Sequence, residues 1–190
     1  RFNALNLLAV FGILLSFDIS PTDAARALSF VRPVRGRMER LGGGAQPLVI
    51  VDYAHTPDAL AQILSAAREH CSGKLFCVFG CGGDRDRGKR PEMGRIAATF
   101  ADAVTITDDN PRTEDAGRIV QEILEGTAGA DNVHVQRDRA IAIRESIAAA
   151  GANDVIVVAG KGHEDYQIYG TRREHFSDAE VARAALEGKS

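Results

Sequence analysis

From residue 48 onward, short runs of β-branched and other apolar residues alternate with longer amphipathic segments. The runs predict strands at 48–52, 75–79, 103–107, 133–135 and 155–159. The segments between them predict helices at about 57–70, from 91, at 113–125 and at 139–150. Strands that are apolar on both faces are typical of a mostly parallel sheet with helices on both faces, an α/β fold. Residues 166–176 predict a hairpin around Gly170, followed by a final helix capped at Ser177.

The first 47 residues follow a different pattern. Residues 3–17 are apolar nearly all round, which predicts a helix that has to be covered on every side. Ser20 and Pro21 predict the cap and the first turn of a second helix, which ends near Phe30. A stretch rich in Pro and Gly then extends to Pro47, and we expect a domain boundary within it.

The composition argues against several classes of protein. The chain has 45% hydrophobic and 26% charged residues, a globular balance that makes disorder unexpected. A net charge of -3 provides no basic surface for nucleic acid or for an anionic membrane. Three cysteines without a second pair argue against a disulfide framework and a structural zinc site. The apolar run is too short to span a bilayer, and its flanks are unlike those of a signal peptide.

Polar segments follow four of the predicted strands. They lie at 52–57, 80–90, 108–112 and 160–164. Ligands of parallel α/β sheets bind beyond the carboxyl ends of the strands, which lie along one edge. We therefore expect these segments to form one composite site.

The second segment contains the spacing G-x-x-x-x-G-K at residues 83–89. A P-loop needs Ser or Thr at the next position to hold Mg²⁺, whereas Arg90 and then Pro91 follow here, so we reject a P-loop. Two interpretations of the segment stay open. It is a flexible loop that presents guanidinium groups to a carboxylate or phosphate, or it is a solvated basic loop. The basic residues concerned are Arg85, Arg87, Lys89 and Arg90.

The third segment contains Asn110 and Arg112 on either side of Pro111, which stiffens the turn. Arg112 can hold a carboxylate by two parallel hydrogen bonds, and Asn110 can offer both a donor and an acceptor. This pair suits the zwitterion of an amino acid. On this segment alone, an Asx turn with Arg112 as a surface cation is the favoured alternative.

The first and fourth segments offer further ligand contacts. Gly160 would let the backbone approach a ligand closely, and Glu164 could pair with an ammonium group. Asp52 could accept hydrogen bonds from ribose hydroxyls, although a turn aspartate is also consistent with its position. His55 is expected to be a turn residue and not a general base. We expect no metal site, because His163 and Glu164 lack a third ligand.

Taken together, the four segments resemble the Mur ligase family of peptidoglycan synthesis, over essentially the whole chain. The resemblance implies a cytoplasmic ligase of three domains that uses ATP and Mg²⁺. It implies that 1–36 is the end of the central ATP-binding domain, 37–47 a linker and 48–190 a Rossmann-like, amino-acid-binding C-terminal domain. In this family the D-glutamyl carboxylate of UDP-MurNAc-L-Ala-D-Glu becomes an acyl phosphate, which the amine of the incoming amino acid attacks.

The resemblance also implies roles for single residues, none of them catalytic. The positions around the amino acid are Arg85, Asp109, Asn110, Pro111, Arg112, Gly160 and Glu164. The positions around ATP are Asn3, Asn6, Arg37, Asp52 and His55. Arg112 favours meso-diaminopimelate, since lysine-adding relatives depart from the motif at this arginine. A folylpolyglutamate synthetase-like domain and a non-catalytic amino-acid-binding module remain as alternatives.

Overall fold

The computed structural model describes residues 2–31 and 35–188, with side chains in the first helix from Asn6 onward. The chain divides into two compact units, with the boundary between residues 34 and 35. The first unit contains two helices, α1 (Phe2–Ser16) and α2 (Pro21–Ser29). Ser20 caps α2, and its Oγ accepts a hydrogen bond from the Asp23 N–H at 3.1 Å. Both helices agree with the sequence prediction.

The apolar residues of α1 remain accessible in this structure. Leu8 and Ile13 are exposed, and Phe17, just beyond the helix, is exposed as well. Among the described residues, no helix combines the length and the apolar character needed to cross a membrane.

The second unit contains a six-stranded sheet in the order β1-β2-β6-β3-β4-β5. Its strands are β1 (Glu39–Gly42), β2 (Leu48–Asp52), β3 (Leu75–Phe79), β4 (Ala103–Ile106), β5 (Val133–Val135) and β6 (Val155–Ala159). β1 pairs antiparallel with β2, and all other pairs are parallel. This arrangement places the carboxyl ends of β2, β6, β3, β4 and β5 at one edge, as the sequence predicts.

Helices cover both faces of this sheet. They are α3 (Pro57–Arg68), α4 (Lys89–Phe100), α5 (Ala116–Leu124), α6 (Arg139–Ala149) and α7 (Asp178–Leu186), with a 3-10 turn at Glu125–Thr127. Alternate residues of β6 enter two separate cores, Val157 on the side of α3, α4 and α5 and Val158 on the side of α6 and α7. The α/β prediction is therefore confirmed.

The structure differs from the prediction most clearly at three places. The segment 37–47 contains β1, whose alternating half-buried and exposed residues carry too weak an apolar signal to reveal a strand. α4 begins at Lys89, two residues before Pro91, which therefore lies in its first turn. α5 begins at Ala116 because the side chain of Asp115 caps it by accepting from the Arg118 N–H.

The predicted hairpin is present as β7 (Tyr166–Tyr169) and β8 (Arg172–His175). Gly170 opens its two-residue loop with φ of +58°, the region that tight hairpin loops require and that glycine adopts without strain. The Arg112 N–H donates to the Ile168 carbonyl at 3.0 Å, and the Gly170 N–H donates to the Arg112 carbonyl at 2.7 Å. The hairpin is thus attached to the segment that follows β4.

Candidate functional site

Hydrogen bonds join the polar segments at the carboxyl edge of the sheet. The Gly160 N–H donates to the Asp52 carbonyl at 3.1 Å, which joins the ends of β6 and β2. The Gly83 N–H donates to the Asn110 carbonyl at 2.9 Å, which joins the segments after β3 and β4. Asn110 Nδ2 donates to Glu164 Oε2 at 2.9 Å. The structure therefore brings the four segments together, as a composite site requires.

Asn110 lies at the centre of this edge and is almost fully buried. Its Oδ1 accepts two hydrogen bonds, from Lys161 Nζ at 3.1 Å and from the Ile168 N–H at 3.0 Å. Its Nδ2 donates one N–H to Glu164, and its other N–H has no hydrogen-bond partner among the described residues. The expectation that Asn110 offers a ligand both a donor and an acceptor is therefore wrong, because the acceptor is already used within the protein.

Arg112 lies beside Asn110 and is half-buried. Its Nη1 donates to the Gly83 carbonyl at 2.8 Å and approaches the Asn110 carbonyl at 3.5 Å. Within the described part of the chain, its Nε and Nη2 have no hydrogen-bond partner. The backbone of Arg112 has φ of +53°, a conformation that its main-chain bonds to the hairpin hold in place. Arg112 is thus anchored through Nη1 and through its backbone, whereas Nε and Nη2 are not engaged within the described residues.

Close backbone packing accounts for two glycines of the site. A Cβ atom on Gly83 would lie 1.9 Å from the carbonyl oxygen of the buried Pro111. A Cβ atom on Gly160, which has φ of +114°, would lie 2.8 Å from Asp109 Oδ2. Asp109 and Pro111 therefore shape the site by packing, and Gly160 lets the chain turn directly above β6.

Most of the basic loop after β3 is engaged within the protein. Arg90 is fully buried and pairs with Glu114 at 3.0 Å and with Glu122 at 2.5 Å. Arg87 also pairs with Glu114, at 3.0 Å. For Arg90, neither of the two open interpretations holds, because its guanidinium is neither presented to a ligand nor solvated. Its two acidic partners lie 24 and 32 residues further along the chain, so a local pattern gives no sign of them.

The remaining two basic residues of the loop differ from each other. Lys89 Nζ donates to the His55 carbonyl at 2.7 Å, which joins the loop to the segment after β2. Arg85 is exposed, and among the described residues only its Nη1 has a hydrogen-bond partner, the Asp84 carbonyl at 3.0 Å. Arg85 is therefore the member of the group that is most available to an anionic ligand.

Glu114 makes the loop sensitive to acid. Hydrogen bonding from Arg90 lowers the pKa of Glu114 from 4.5 to about 2, against the opposing effect of burial. The charged form is favoured by folding, so its stabilisation is complete above pH 4.5 and declines as the pH falls towards 2. We expect Glu114→Gln to lower the free energy of unfolding at neutral pH, and the difference from the parent to shrink below about pH 4.5.

Urea titrations of this chain across that pH range measure the difference. Glu145→Gln, a change at an exposed position of α6, controls for the loss of one carboxylate. A difference between parent and Glu114→Gln that stays constant down to the lowest pH would contradict the assignment.

Two of the residues predicted to face ATP, Arg37 and His55, lie beside Tyr53. The Arg37 guanidinium carbon lies 5.9 Å from the centroid of the Tyr53 ring. The ring centroids of His55 and His163 lie 4.6 and 5.4 Å from that of Tyr53. His55 Nδ1 lies 2.8 Å from the Tyr53 carbonyl oxygen, which fits a residue that shapes the turn. Tyr53 and His163 carried no predicted role, and their contact with each other depends on β2 and β6 being neighbours.

Asp52 and the two asparagines have different surroundings. Asp52 Oδ2 accepts from the Met38 N–H at 2.8 Å, and Oδ1 accepts from the Ala54 N–H at 2.9 Å. Its carboxylate thus holds the backbone just before β1 and just after β2. Asn6 is exposed on α1 in the first unit, and the side chain of Asn3 lies outside the described residues. The ATP-facing roles of these three residues stay predictions.

Comparisons with known proteins identify the family of this chain. A family model described as "Mur ligase, glutamate ligase domain" matches residues 36–162. A protein named UDP-N-acetylmuramoyl-L-alanyl-D-glutamate--2,6-diaminopimelate ligase from Xanthomonas campestris pv. campestris is 55% identical over 187 residues, 98% of this chain and 38% of the relative. A ligase of the same name from Pseudomonas putida is 53% identical over 186 residues, with the same shares of both chains.

Solved structures of Mur ligases are similar to this chain in fold. A structure with that ligase name has a TM-score of 0.77 and 39% identity, and the match covers 99% of this chain and 39% of the other. UDP-N-acetylmuramate-alanine ligase from Thermotoga maritima shares the fold, with a TM-score of 0.68 and 21% identity over 98% of this chain and 37% of that one. The chain spans about two fifths of the length of these relatives. Because the family model covers more than half of the chain, the chain belongs to the Mur ligase family.

Proposed function

We propose that this chain is the amino-acid-binding part of a cytoplasmic, ATP-dependent ligase that joins meso-diaminopimelate to UDP-MurNAc-L-Ala-D-Glu. Relatives that carry this activity in their names are 55% and 53% identical over nearly all of the chain. On this proposal, 1–36 is the end of the central domain, 37–47 the linker and 48–190 the C-terminal domain. The division of the chain near residue 34 supports the first of these limits.

One observation carries the choice of amino acid: donors for a carboxylate stand beside an acceptor for an ammonium group. Among the described residues, two guanidinium nitrogens of Arg112 and one N–H of Asn110 Nδ2 have no hydrogen-bond partner. Glu164 uses Oε2 for Asn110, which leaves Oε1 for a ligand. The far end of meso-diaminopimelate carries both a carboxylate and an ammonium group, whereas lysine carries only the ammonium group. These three residues can satisfy both charges, with exposed Arg85 nearby.

The residues of this chain act by binding and orientation. ATP, when bound, supplies the phosphoryl group that activates the D-glutamyl carboxylate. Arg37 and His55, around Tyr53, are proposed to face ATP, together with Asp52, Asn3 and Asn6. Both oxygens of Asp52 already accept backbone hydrogen bonds, so we place the Mg²⁺ ligands in another part of the polypeptide. Holding the amine of the amino acid against the acyl phosphate is the step to which this chain contributes.

Amide formation by the complete polypeptide tests this function. We expect release of ADP and phosphate that depends on both UDP-MurNAc-L-Ala-D-Glu and meso-diaminopimelate, with a much lower kcat/KM for lysine. Mass spectrometry of the product identifies the added amino acid. Glutamate addition to a folate would favour the folylpolyglutamate synthetase-like alternative, and binding of diaminopimelate without turnover would favour the non-catalytic module.

A further inference from the structure

Lys161 is the one fully buried lysine of the described chain, and none of the roles considered so far involves it. It follows Gly160 at the end of β6, and its Nζ lies 3.1 Å from Asn110 Oδ1 and 3.5 Å from Glu164 Oε2. A carboxylate oxygen of Asp109 is 4.0 Å away. Burying an ammonium group is costly unless it is paired and hydrogen-bonded, and here its partners are residues of the proposed amino-acid site.

Lys161 makes one of the three contacts that fix which way the Asn110 amide points. Lys161 and the Ile168 N–H both donate to Oδ1, whereas Nδ2 donates to Glu164. If the amide turned over, its NH₂ group would face these two donors, and its oxygen would face the Glu164 carboxylate. All three contacts would become unfavourable, so one orientation is selected. In that orientation, the second N–H of Nδ2 has no partner among the described residues, and we assign it to the ligand carboxylate.

Lys161 also sets the charge balance of the site. Asp109 and Glu164 place two carboxylates beside the position proposed for the ligand, and the Lys161 ammonium group compensates their negative charge. Without this ammonium group, the surroundings would be more negative. A ligand carboxylate would then be repelled, whereas a ligand ammonium group would still be attracted.

We propose that Lys161 is a positioning residue for amino-acid recognition, which orients Asn110 and Glu164 and thereby favours an amino acid whose far end carries a carboxylate. This inference rests on the proposed function and deepens it. Lys161 acts through its two neighbours and does not itself contact the substrate. Its removal should therefore affect the binding of one substrate, and the effect should become smaller when Asn110 is absent, because only the part that acts through Glu164 and Asp109 then remains.

Steady-state kinetics of the complete ligase provide the test. Loss of a charged hydrogen bond corresponds to roughly a tenfold to hundredfold change in affinity. For Lys161→Met, we expect the KM for meso-diaminopimelate to rise by about tenfold or more, while kcat and the KM values for ATP and the UDP-sugar dipeptide change by less than about twofold. The preference for meso-diaminopimelate over lysine should fall in parallel. Lys74→Met, at an exposed position before β3 on the opposite edge of the sheet, is the matched control.

A double-mutant cycle separates positioning from a structural role. In an Asn110→Ala background, Lys161→Met should raise the KM for meso-diaminopimelate by a clearly smaller factor than it does in the parent, because the contribution that passes through Asn110 is missing. Lys161→Gln, which retains an N–H donor without the charge, should fall between the parent and Lys161→Met. This variant enters the same cycle if Lys161→Met does not fold.

The outcomes distinguish this inference from the function beneath it. A parent enzyme without any dependence on meso-diaminopimelate would overturn both. An active parent that Lys161→Met matches in its KM for meso-diaminopimelate would overturn the role of Lys161 alone. The role of Lys161 would also be overturned if Lys161→Met lowered kcat and raised all KM values together, or if its effect were the same with and without Asn110. Urea unfolding that shows neither Lys161→Met nor Lys161→Gln to fold would overturn it as well.

Discussion

Replacing Arg139 by methionine is expected to lower the free energy of unfolding of the second unit by about 3–5 kcal/mol. Arg139, the first residue of α6, and Asp178, the first residue of α7, are both fully buried. Arg139 Nε lies 2.7 Å from Asp178 Oδ1, and Nη2 lies 2.8 Å from Oδ2. Methionine retains much of the length of the side chain but leaves the aspartate without its partner. Breaking a buried pair costs far more than the net value of the pair, because the remaining charge stays desolvated.

The position of the pair adds to this expectation. Arg139 Nη2 also donates to the Ala159 carbonyl at 2.9 Å, so the guanidinium joins α6, α7 and the end of β6. Burial alone would lower the pKa of Arg139, but the Asp178 carboxylate outweighs it and holds that pKa above its ordinary value. The Arg139 guanidinium therefore stays charged near neutral pH, where unfolding is measured.

Urea unfolding of this chain near neutral pH measures the effect. Arg144→Met, an exposed change on the same helix, should stay within about 0.5 kcal/mol of the parent. Arg139→Met combined with Asp178→Leu should recover most of the loss, since both charges are then removed. A loss below about 1 kcal/mol in the single variant would show that the aspartate finds another partner or water.

The elements of the second unit could be predicted because local signals agree with the fold. Thr56, Asp138 and Ser177 cap helices that the sequence places correctly, and β6 is a continuous run of buried residues. β1 could not be predicted in the same way. Its residues are half-buried or exposed, and the strand exists because it pairs with the edge of β2. Pairing of this kind depends on tertiary structure and leaves little trace in a local pattern.

The site was predictable to a similar degree. A parallel sheet brings its strand ends to one edge, so the residues that follow β2, β3, β4 and β6 were correctly expected to lie together. Their partners were not predictable. Arg90 is taken out of the site by Glu114, 24 residues away, and Lys161 reaches Asn110 across 51 residues. Sequence analysis identifies groups that can bind a ligand, but only the packed structure shows which of their atoms remain free.

Replacing Arg112 is expected to change which amino acid the ligase selects. The carboxylate at the far end of meso-diaminopimelate would meet the two guanidinium nitrogens that the protein leaves without partners. Losing a charge-assisted contact of this kind lowers affinity by roughly tenfold to hundredfold, whereas lysine has no carboxylate to lose. Arg112→Ala should therefore reduce the ratio of kcat/KM for meso-diaminopimelate to that for lysine by about that factor.

The comparison with Arg112→Lys makes the expectation specific to the shape of the side chain. Lysine keeps the positive charge, but its single nitrogen cannot hold the Gly83 carbonyl and also form two parallel bonds to a carboxylate. Arg112→Lys should therefore retain only part of the preference for meso-diaminopimelate. Arg144→Ala, an exposed change on α6, is the control and should leave the preference unchanged. Full selectivity in Arg112→Lys would mean that charge alone suffices. Full selectivity in Arg112→Ala would mean that the far carboxylate of meso-diaminopimelate binds to a group other than the Arg112 guanidinium.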